Sequence, residues 1–362
     1  MSVLNQLANK VLPPETKENY LRSRALQGKV FNEHLNASMK SFVLNRQGIT
    51  AKEIKMWEKR LKDVFVKDEW YPEEYFWFNY ERLSPKGRKE FVPWHEAAKF
   101  WNWMNTQEVH LLSRDKGETY KVFKDFFKRD LVSVKKKDAA AVESFKSFVA
   151  SHPKFFLKPT LGNYGNGACV VDASSWQDME KEVQGLLEKN PDGFVAEELI
   201  VQCKEMADLN PSSINTVRIT TARKADGTLH IIKRPFIRIG QGGRCVDNGG
   251  NGGIIAAIDY ETGIIKGAID EAMNRYIVHP DTGKTILGYQ IPRWEEAKQL
   301  VAQLSDVFTE MRYCGWDLAL TDQGWVMVEA NSKGLFIGFQ MPTQEGCREE
   351  FEWLKHACGY EK

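Results

Sequence analysis

The sequence predicts an α+β fold in which a mainly helical, aromatic-rich N-terminal region precedes sheet-bearing parts. Three observations carry this. Ile54, Trp57 and Leu61 recur at helical spacing in the polar stretch AKEIKMWEKRLKDVF. From about residue 154 onward, short apolar runs bounded by turn residues dominate. A long amphipathic helix over 293–313 then leads into a final hairpin, GWDLALTDQGWVMVEANS.

The bulk numbers set limits. The chain has 362 residues, enough for two or three structural units with a sizeable core. A hydrophobic share of 42% and a charged share of 27% are ordinary for a globular chain. Fifty basic residues stand against 49 acidic ones, a net charge of +1, which argues against a nucleic-acid binder. Lys135-Lys136-Lys137 is too short a basic run to change that and reads as a solvated loop. Six cysteines are scattered without CxxC spacing, and no zinc-binding spacing is present. They read as free thiols in a reducing, cytoplasmic setting. The first twenty residues lack the apolar core of a secretion signal. No run of about 18 apolar residues offers a membrane span. The aromatic share is 12%, with 11 tryptophans, which suits either a packed aromatic core or a grip on rings and sugars.

Taken in order, residues 1–62 read as helical and polar. Residues 70–130 hold WYPEEYFWFNYERLS and FVPWHEAAKFWNWMN, expected as a buried aromatic helical layer that includes Arg88 and His95. Asp115-Lys116 and Lys128-Arg129-Asp130 fall at element ends and are expected on the solvated surface. DAAAVESFKSFVASHP is a helix with Ala141, Phe145, Phe148 and Val149 as its apolar stripe and Pro153 beyond its end. A short strand, FFLKP, carries Lys158. The loop TLGNYGNG follows, with Gly162, Gly165 and Gly167, and then the strand ACVVD.

That context excludes two phosphate-binding schemes. A dinucleotide fingerprint and a Walker A loop both open a helix, whereas here a strand follows the glycines. What remains is a Gly-rich hairpin loop whose backbone N–H groups can fold over phosphates, with Lys158 as a point charge beside it. The alternative is a hairpin turn with an exposed lysine.

Residues 175–189 read as a helix and Pro191-Asp192-Gly193 as a turn. The strand Phe194-Val195-Ala196 runs into Glu197, Glu198, Leu199 and Ile200. Ile214–Ala222 begins a second β-rich part, and Asp226-Gly227 is a hairpin turn. The return strand spans 229–239. Arg218, Lys233 or Arg234, and Arg238 place several cations on this pair of strands. On one face they would neutralise phosphate; pointing outward they are ordinary edge charges. GQGGRCVDNGGNGG, residues 240–253, has seven glycines in fourteen residues, a composition for close approach of backbone to ligand or for a mobile lid. Asp247 and Asn248 are its polar anchors. Residues 254–269 form another hairpin, and His279 lies in a loop. Residues 346–357 read as a capping helix.

In the final hairpin, Glu329 and Asn331 share a face by alternation, together with Trp325 and Met327. A five-residue loop places Asp317 on that face opposite Glu329, and a four-residue loop reverses it. Two acids and an amide oxygen on one face suit Mg2+, a hard cation that takes oxygen ligands; the alternative is a polar face that meets water.

The order of these pieces resembles the ATP-grasp superfamily. The runs SSINTVRITT, VDNGGNGG, HPDTG, IP-x-W and GWDLAL…VEAN resemble its sugar-transfer-associated, or alpha-L-glutamate-ligase-related, branch over about residues 110–345. The resemblance implies the ATP-grasp fold, two α+β subdomains clasping ATP. The expected division is 1–130 for the N-terminal region, 131–205 and 206–345 for the subdomains, and 346–362 for a C-terminal helix.

By the resemblance, Lys158 and Gly162, Gly165 and Gly167 contact the phosphates of ATP. Glu197, Glu198, Leu199 and Ile200 hold adenine, and Gln202 or Glu205 the ribose. Lys135, Lys136 or Lys137 supplies a further lysine. Arg218 and Arg238 stabilise the transferring phosphate, Asn248 lines the substrate side, and Asp317, Glu329 and Asn331 hold Mg2+.

The implied reaction joins a carboxylate to an amine through an acyl phosphate. Its substrates are small molecules, sugar-nucleotide or glycan linked, in cell-surface polysaccharide synthesis. A small-molecule kinase and a non-catalytic nucleotide-binding protein are the alternatives.

Overall fold

The computed structural model describes Arg22, residues 25–136, 138–162 and 165–247, Gly250, and residues 252–334 and 336–360. The chain divides into two compact units. One comprises Met1–Lys99 with Gln344–Phe351, the other Phe100–Thr343 with Glu352–Lys362.

The first unit is helical: α1 (Lys29–Ser38), α2 (Ala51–Asp68), α3 (Pro72–Trp77), α4 (Pro85–Lys89) and the start of α5 (Trp94–Met104). Thr50 and Glu53 form a capping box that starts α2. The aromatic run forms a buried layer in which Trp70 packs edge-on against Phe78, Tyr80 and Phe91. Arg88 lies over the Tyr80 ring, and His95 packs on Phe65, so both belong to this layer. Glu74 is wholly buried, and its carboxylate accepts from the backbone N–H of Tyr71 (2.7 Å) and of Trp94 (2.6 Å). One side chain thereby caps two helix starts.

The second unit holds two antiparallel sheets. The smaller has the order β1-β4-β2-β3, from β1 (Leu131–Val134), β2 (Lys154–Pro159), β3 (Cys169–Asp172) and β4 (Phe194–Glu198). Helices α8 (Ala139–Ser151) and α9 (Met179–Lys189) cover it. Phe145, Phe148, Val149, Val183 and Leu187 bury against Phe155, Leu157 and Phe194. Asp138 and Asp178 cap these helices with their side chains. The Gly-rich loop joins β2 to β3, which pair from Lys154–Asp172 to Leu157–Cys169.

The larger sheet has the order β11-β10-β5-β7-β8-β9, with β6 beside β5. Its strands are β5 (Thr216–Arg223), β6 (Leu229–Ile231), β7 (Phe236–Ile239), β8 (Ile254–Ile258), β9 (Ile265–Ile269), β10 (Tyr313–Thr321) and β11 (Gly324–Asn331). The expected single return strand over 229–239 is broken. Lys233, Arg234 and Pro235 fall between β6 and β7, where proline cannot donate to the ladder. One face of the sheet packs Val217, Ile219, Trp316, Leu318 and Met327 under α7 (Lys116–Phe127) and α11 (Trp294–Val307). The helix expected over 293–313 therefore ends at Val307. The other face carries the polar residues.

Arg129 fastens the two sheets together. It sits at the end of α7, 8% exposed. It donates to the Met327 carbonyl on β11 (2.7 Å) and to the Glu197 carboxylate on β4 (2.7 and 3.1 Å). The expectation of a solvated Lys128-Arg129-Asp130 surface is corrected for Arg129. Strand pairing of Leu131 with Glu197 draws it inside. Removing one partner of a buried ion pair costs about 3–5 kcal/mol. Arg129→Met is expected to lower stability by about that amount, and adding Glu197→Gln to recover part of the loss. Urea unfolding followed by tryptophan fluorescence reads both.

Candidate functional site

The polar face of the larger sheet is built by strand register. Asp317 on β10 pairs with Arg218 on β5 and, on its other side, with Glu329 on β11. Thr216, two residues from Arg218 on the same face, pairs with Arg238 on β7. Directly paired residues share a face, so Arg218, Arg238, Asp317 and Glu329 do as well.

The hairpin reaches this register by a route that neither loop length anticipated. Its turn has two residues, Asp322 and Gln323, between paired Thr321 and Gly324. With regular pairing that turn would set Asp317 opposite Val328. A β-bulge between Asp317 and Leu318 shifts the register by one, so that Leu318 pairs with Met327 and Asp317 with Glu329. The bulge also corrects the simple alternation. Trp325 and Met327 face the apolar core, while Glu329 and Asn331 face the site.

Asp317 is completely buried. Arg218 grips it with two nitrogens, Nε to Oδ1 and a terminal nitrogen to Oδ2 at 2.6 Å. Arg238 donates to Oδ2 at 2.8 Å and Asn331 Nδ2 to the same oxygen at 3.1 Å. Burial alone would raise this carboxyl, but the two guanidiniums hold it down at about 2. Gly315, opposite Asn331, makes room for the arrangement, since a Cβ there would lie 2.7 Å from Arg218 Cδ. Arg238 also donates to Thr216 Oγ1 (2.8 and 3.1 Å), and Thr216 N–H and Oγ–H both donate to Asp247. Asp247 thus anchors the second glycine-rich segment. His279 pins the root of that segment, with Nε2 2.7 Å from the Gly240 carbonyl. The histidine is buried and has a structural task. Asn248 lies outside the described residues.

Glu329 also lines a small cleft, together with Ser113, Lys116, Lys158, Glu197 and Val328, among others. Lys158 on β2 pairs with Glu197 at 2.8 Å. Glu197 is buried, yet Lys158 and Arg129 overcome the cost of burial and bring its carboxyl to about 2.

Lys116 is the residue that sequence reasoning missed. Asp115 caps α7 by accepting from Gly117 and Glu118 N–H. The lysine that follows points inward: its Nζ donates to the Gly162 carbonyl (3.0 Å) and lies 3.8 Å from Glu329. Burial lowers its pKa. The expected solvated surface at Asp115-Lys116 is thus corrected. A lysine one position into a capped helix looks like surface unless the strand it meets is known. Lys135 instead pairs with Asp115 at 2.8 Å and is half-exposed. Lys136 is exposed and Lys137 lies outside the described residues.

Gly162, Gly165 and Gly167 are in the β2–β3 loop, and the last two have positive φ (70° and 75°), where glycine is favoured. Leu199 and Ile200 are half-buried in the segment after β4, which Cys203 N–H ties to the Leu320 carbonyl (2.9 Å). Two side chains of this stretch are engaged elsewhere. Glu198 alternates with Glu197 and turns to the outer face of the smaller sheet, beside His152. Gln202 is committed to its own chain. Its amide nitrogen donates to the Asn210 and Ser213 carbonyls, and its oxygen accepts from Asn215. Glu205 is exposed at the start of α10 (Lys204–Leu209).

The oxygen donors fit a hard divalent cation. Glu329 is one-third exposed at the cleft, and Asn331, with its nitrogen on Asp317, turns its oxygen away from that carboxylate. Asp317 Oδ1 accepts one hydrogen bond, which leaves it a lone pair. Four cations stand beside these oxygens, with Lys116 near Glu329, Lys158 on Glu197, and Arg218 and Arg238 on Asp317.

A family model described as sugar-transfer associated ATP-grasp matches residues 95–356. Among curated proteins, no sequence matches the chain. Solved structures similar to it include D-alanyl-alanine synthetase A from Vibrio cholerae, with 12% identity, 70% of this chain and 63% of that one covered, and a TM-score of 0.41. D-alanine-D-alanine ligase from Helicobacter pylori gives 14%, 68%, 61% and 0.42. The ATP-grasp ligase PsnB with a minimal precursor gives 13%, 70%, 63% and 0.40. The chain thus spans about three fifths of the length of these structures.

The carboxyls of Glu197 and Asp317 have pKa values below their ordinary ones. The stability they supply is complete above about pH 4.5 and is lost as pH falls toward about 2. Urea midpoints are expected to fall over that window, and Glu197→Gln to flatten part of the fall.

Proposed function

The chain belongs to the sugar-transfer associated ATP-grasp family, with the ATP-grasp fold, and from that premise we propose that it is an ATP- and Mg2+-dependent carboxylate–amine ligase. The observation that supports this best is the convergence of Lys116, Lys158 and Glu329 on one cleft, with Glu329 paired in register to the Asp317–Arg218–Arg238 cluster.

In this reading the nucleotide lies between the sheets. Lys158, Lys116 and the loop of Gly162, Gly165 and Gly167 hold its phosphates. Leu199 and Ile200 meet adenine, and Glu205 serves the ribose. Glu329, Asn331 and Asp317 would hold Mg2+, which neutralises phosphate charge when bound. Arg218 and Arg238 face the transferring phosphoryl group. Buried ion pairs fix their positions before substrate arrives, so little reorganisation accompanies the reaction.

A substrate carboxylate attacks the γ-phosphorus, ADP leaves, and an acyl phosphate forms. An amine then attacks the acyl carbon and phosphate leaves, giving an amide. Positioning and charge neutralisation carry this chemistry without a protein nucleophile. On this proposal the carboxylate belongs to a uronic-acid sugar or an amino acid.

The decisive assay measures ADP and phosphate release with ATP, Mg2+ and a panel of carboxylates, with hydroxylamine as trap. Carboxylate-dependent hydroxamate is expected, and its loss in Glu329→Ala. ADP release with a stable phosphate ester and no free phosphate would mean a kinase instead. Lys116→Met is expected to weaken ATP binding by roughly tenfold, the worth of one charge-assisted contact. Calorimetry with a non-hydrolysed ATP analogue checks it.

A further inference from the structure

A second cluster of ligand-type side chains lies outside the cleft. Glu198 turns to the outer face of the smaller sheet and there meets Asp130, at the entry to β1, and His152, just past the end of α8. One ligand atom from each lies within 4.8 Å of the others. His152 Nε2 is 3.9 Å from Asp130 Oδ2 and 3.8 Å from Glu198 Oε2. These separations are too long for direct hydrogen bonds. They are close to what two ligands sharing one cation require, since donors about 2.1 Å from a tetrahedral ion sit roughly 3.4 Å apart.

The imidazole is held in a ligating orientation. Its Nδ1 is 3.3 Å from the Phe148 carbonyl, and its ring stacks on Phe148 with centroids 4.7 Å apart. With Nδ1 turned to that carbonyl, Nε2 is the ring nitrogen that faces the two carboxylates. The hydrogen bond of a metal-bound histidine through its other nitrogen has this form. The Glu198 carboxylate and the backbone of Asp130 are tied to each other. Asp130 N–H donates to Glu198 Oε2 (3.2 Å), and Glu198 N–H donates to the Asp130 carbonyl (2.9 Å).

We propose that Asp130, His152 and Glu198 form a site for a divalent transition metal of the Zn2+ type, separate from the cation site at Glu329 and Asn331. One imidazole with two carboxylates suits such an ion better than Mg2+, which prefers oxygen alone. The ion joins the end of α8 to β1 and β4, immediately before the segment 199–203 that leads into the larger sheet.

The test titrates the metal-free full chain with Zn2+ at neutral pH in excess Mg2+, by calorimetry. Saturable uptake of one Zn2+ is expected, weakened at least roughly tenfold in His152→Ala and in Asp130→Asn. It should be unchanged in Glu329→Gln. Co2+ substitution should give a spectrum without a thiolate charge-transfer band. Circular dichroism checks that the variants fold, and Asp130→Asn, at an exposed position, gives a reading independent of His152. No saturable Zn2+ uptake, uptake equal in His152→Ala and the parent, or a thiolate band would each overturn the assignment.

Discussion

A carboxylate without access to water governs the polar face of the larger sheet. Asp317 could not stay charged at that depth without compensation, and two guanidiniums and an amide supply it. The same contacts fix Arg218 and Arg238 in position and turn the oxygen of Asn331 outward. Arg238 passes the constraint on through Thr216 to Asp247, and so to the second glycine-rich segment. One buried charge on β10 therefore positions residues from three other strands and a loop.

The smaller sheet repeats the device. Glu197 is buried between Lys158 and Arg129, and Arg129 also holds a carbonyl of β11. Lys158 on β2, strand β4 and the β10–β11 hairpin are thus mechanically joined. Ion pairs of this kind add little net stability, because desolvation offsets attraction. What they provide is a fixed arrangement of charge on the polar face.

Much of this was legible in the sequence. The Gly-rich hairpin, the Asp…Glu-x-Asn hairpin and the two arginines lie on local patterns that turn residues and alternation expose. Lys116 and Arg129 were not legible. Both stand at helix ends, where charges ordinarily meet water, and only pairing between distant strands buries them. The direction of the Glu198 side chain was not legible for another reason. Glu198 sits beside Glu197 in sequence, and the pleat sends neighbours to opposite faces. The bulge at Asp317 left no mark either, since it is set by how the turn and the core each fix one end of the hairpin.

That bulge has a consequence for descent with insertion and deletion. The two-residue turn and the extra residue together deliver Asp317 to Glu329. A turn one residue longer, with regular pairing, delivers the same partners. An insertion at the tip and a deletion near Val328 therefore compensate each other in length and leave the pair of acids opposed. Relatives can differ in turn length yet keep the same pair of acids, provided the two changes travel together. An alignment that places its gap by turn length alone will shift the intervening core residues, Trp325 and Met327, by one position and assign them to the wrong face.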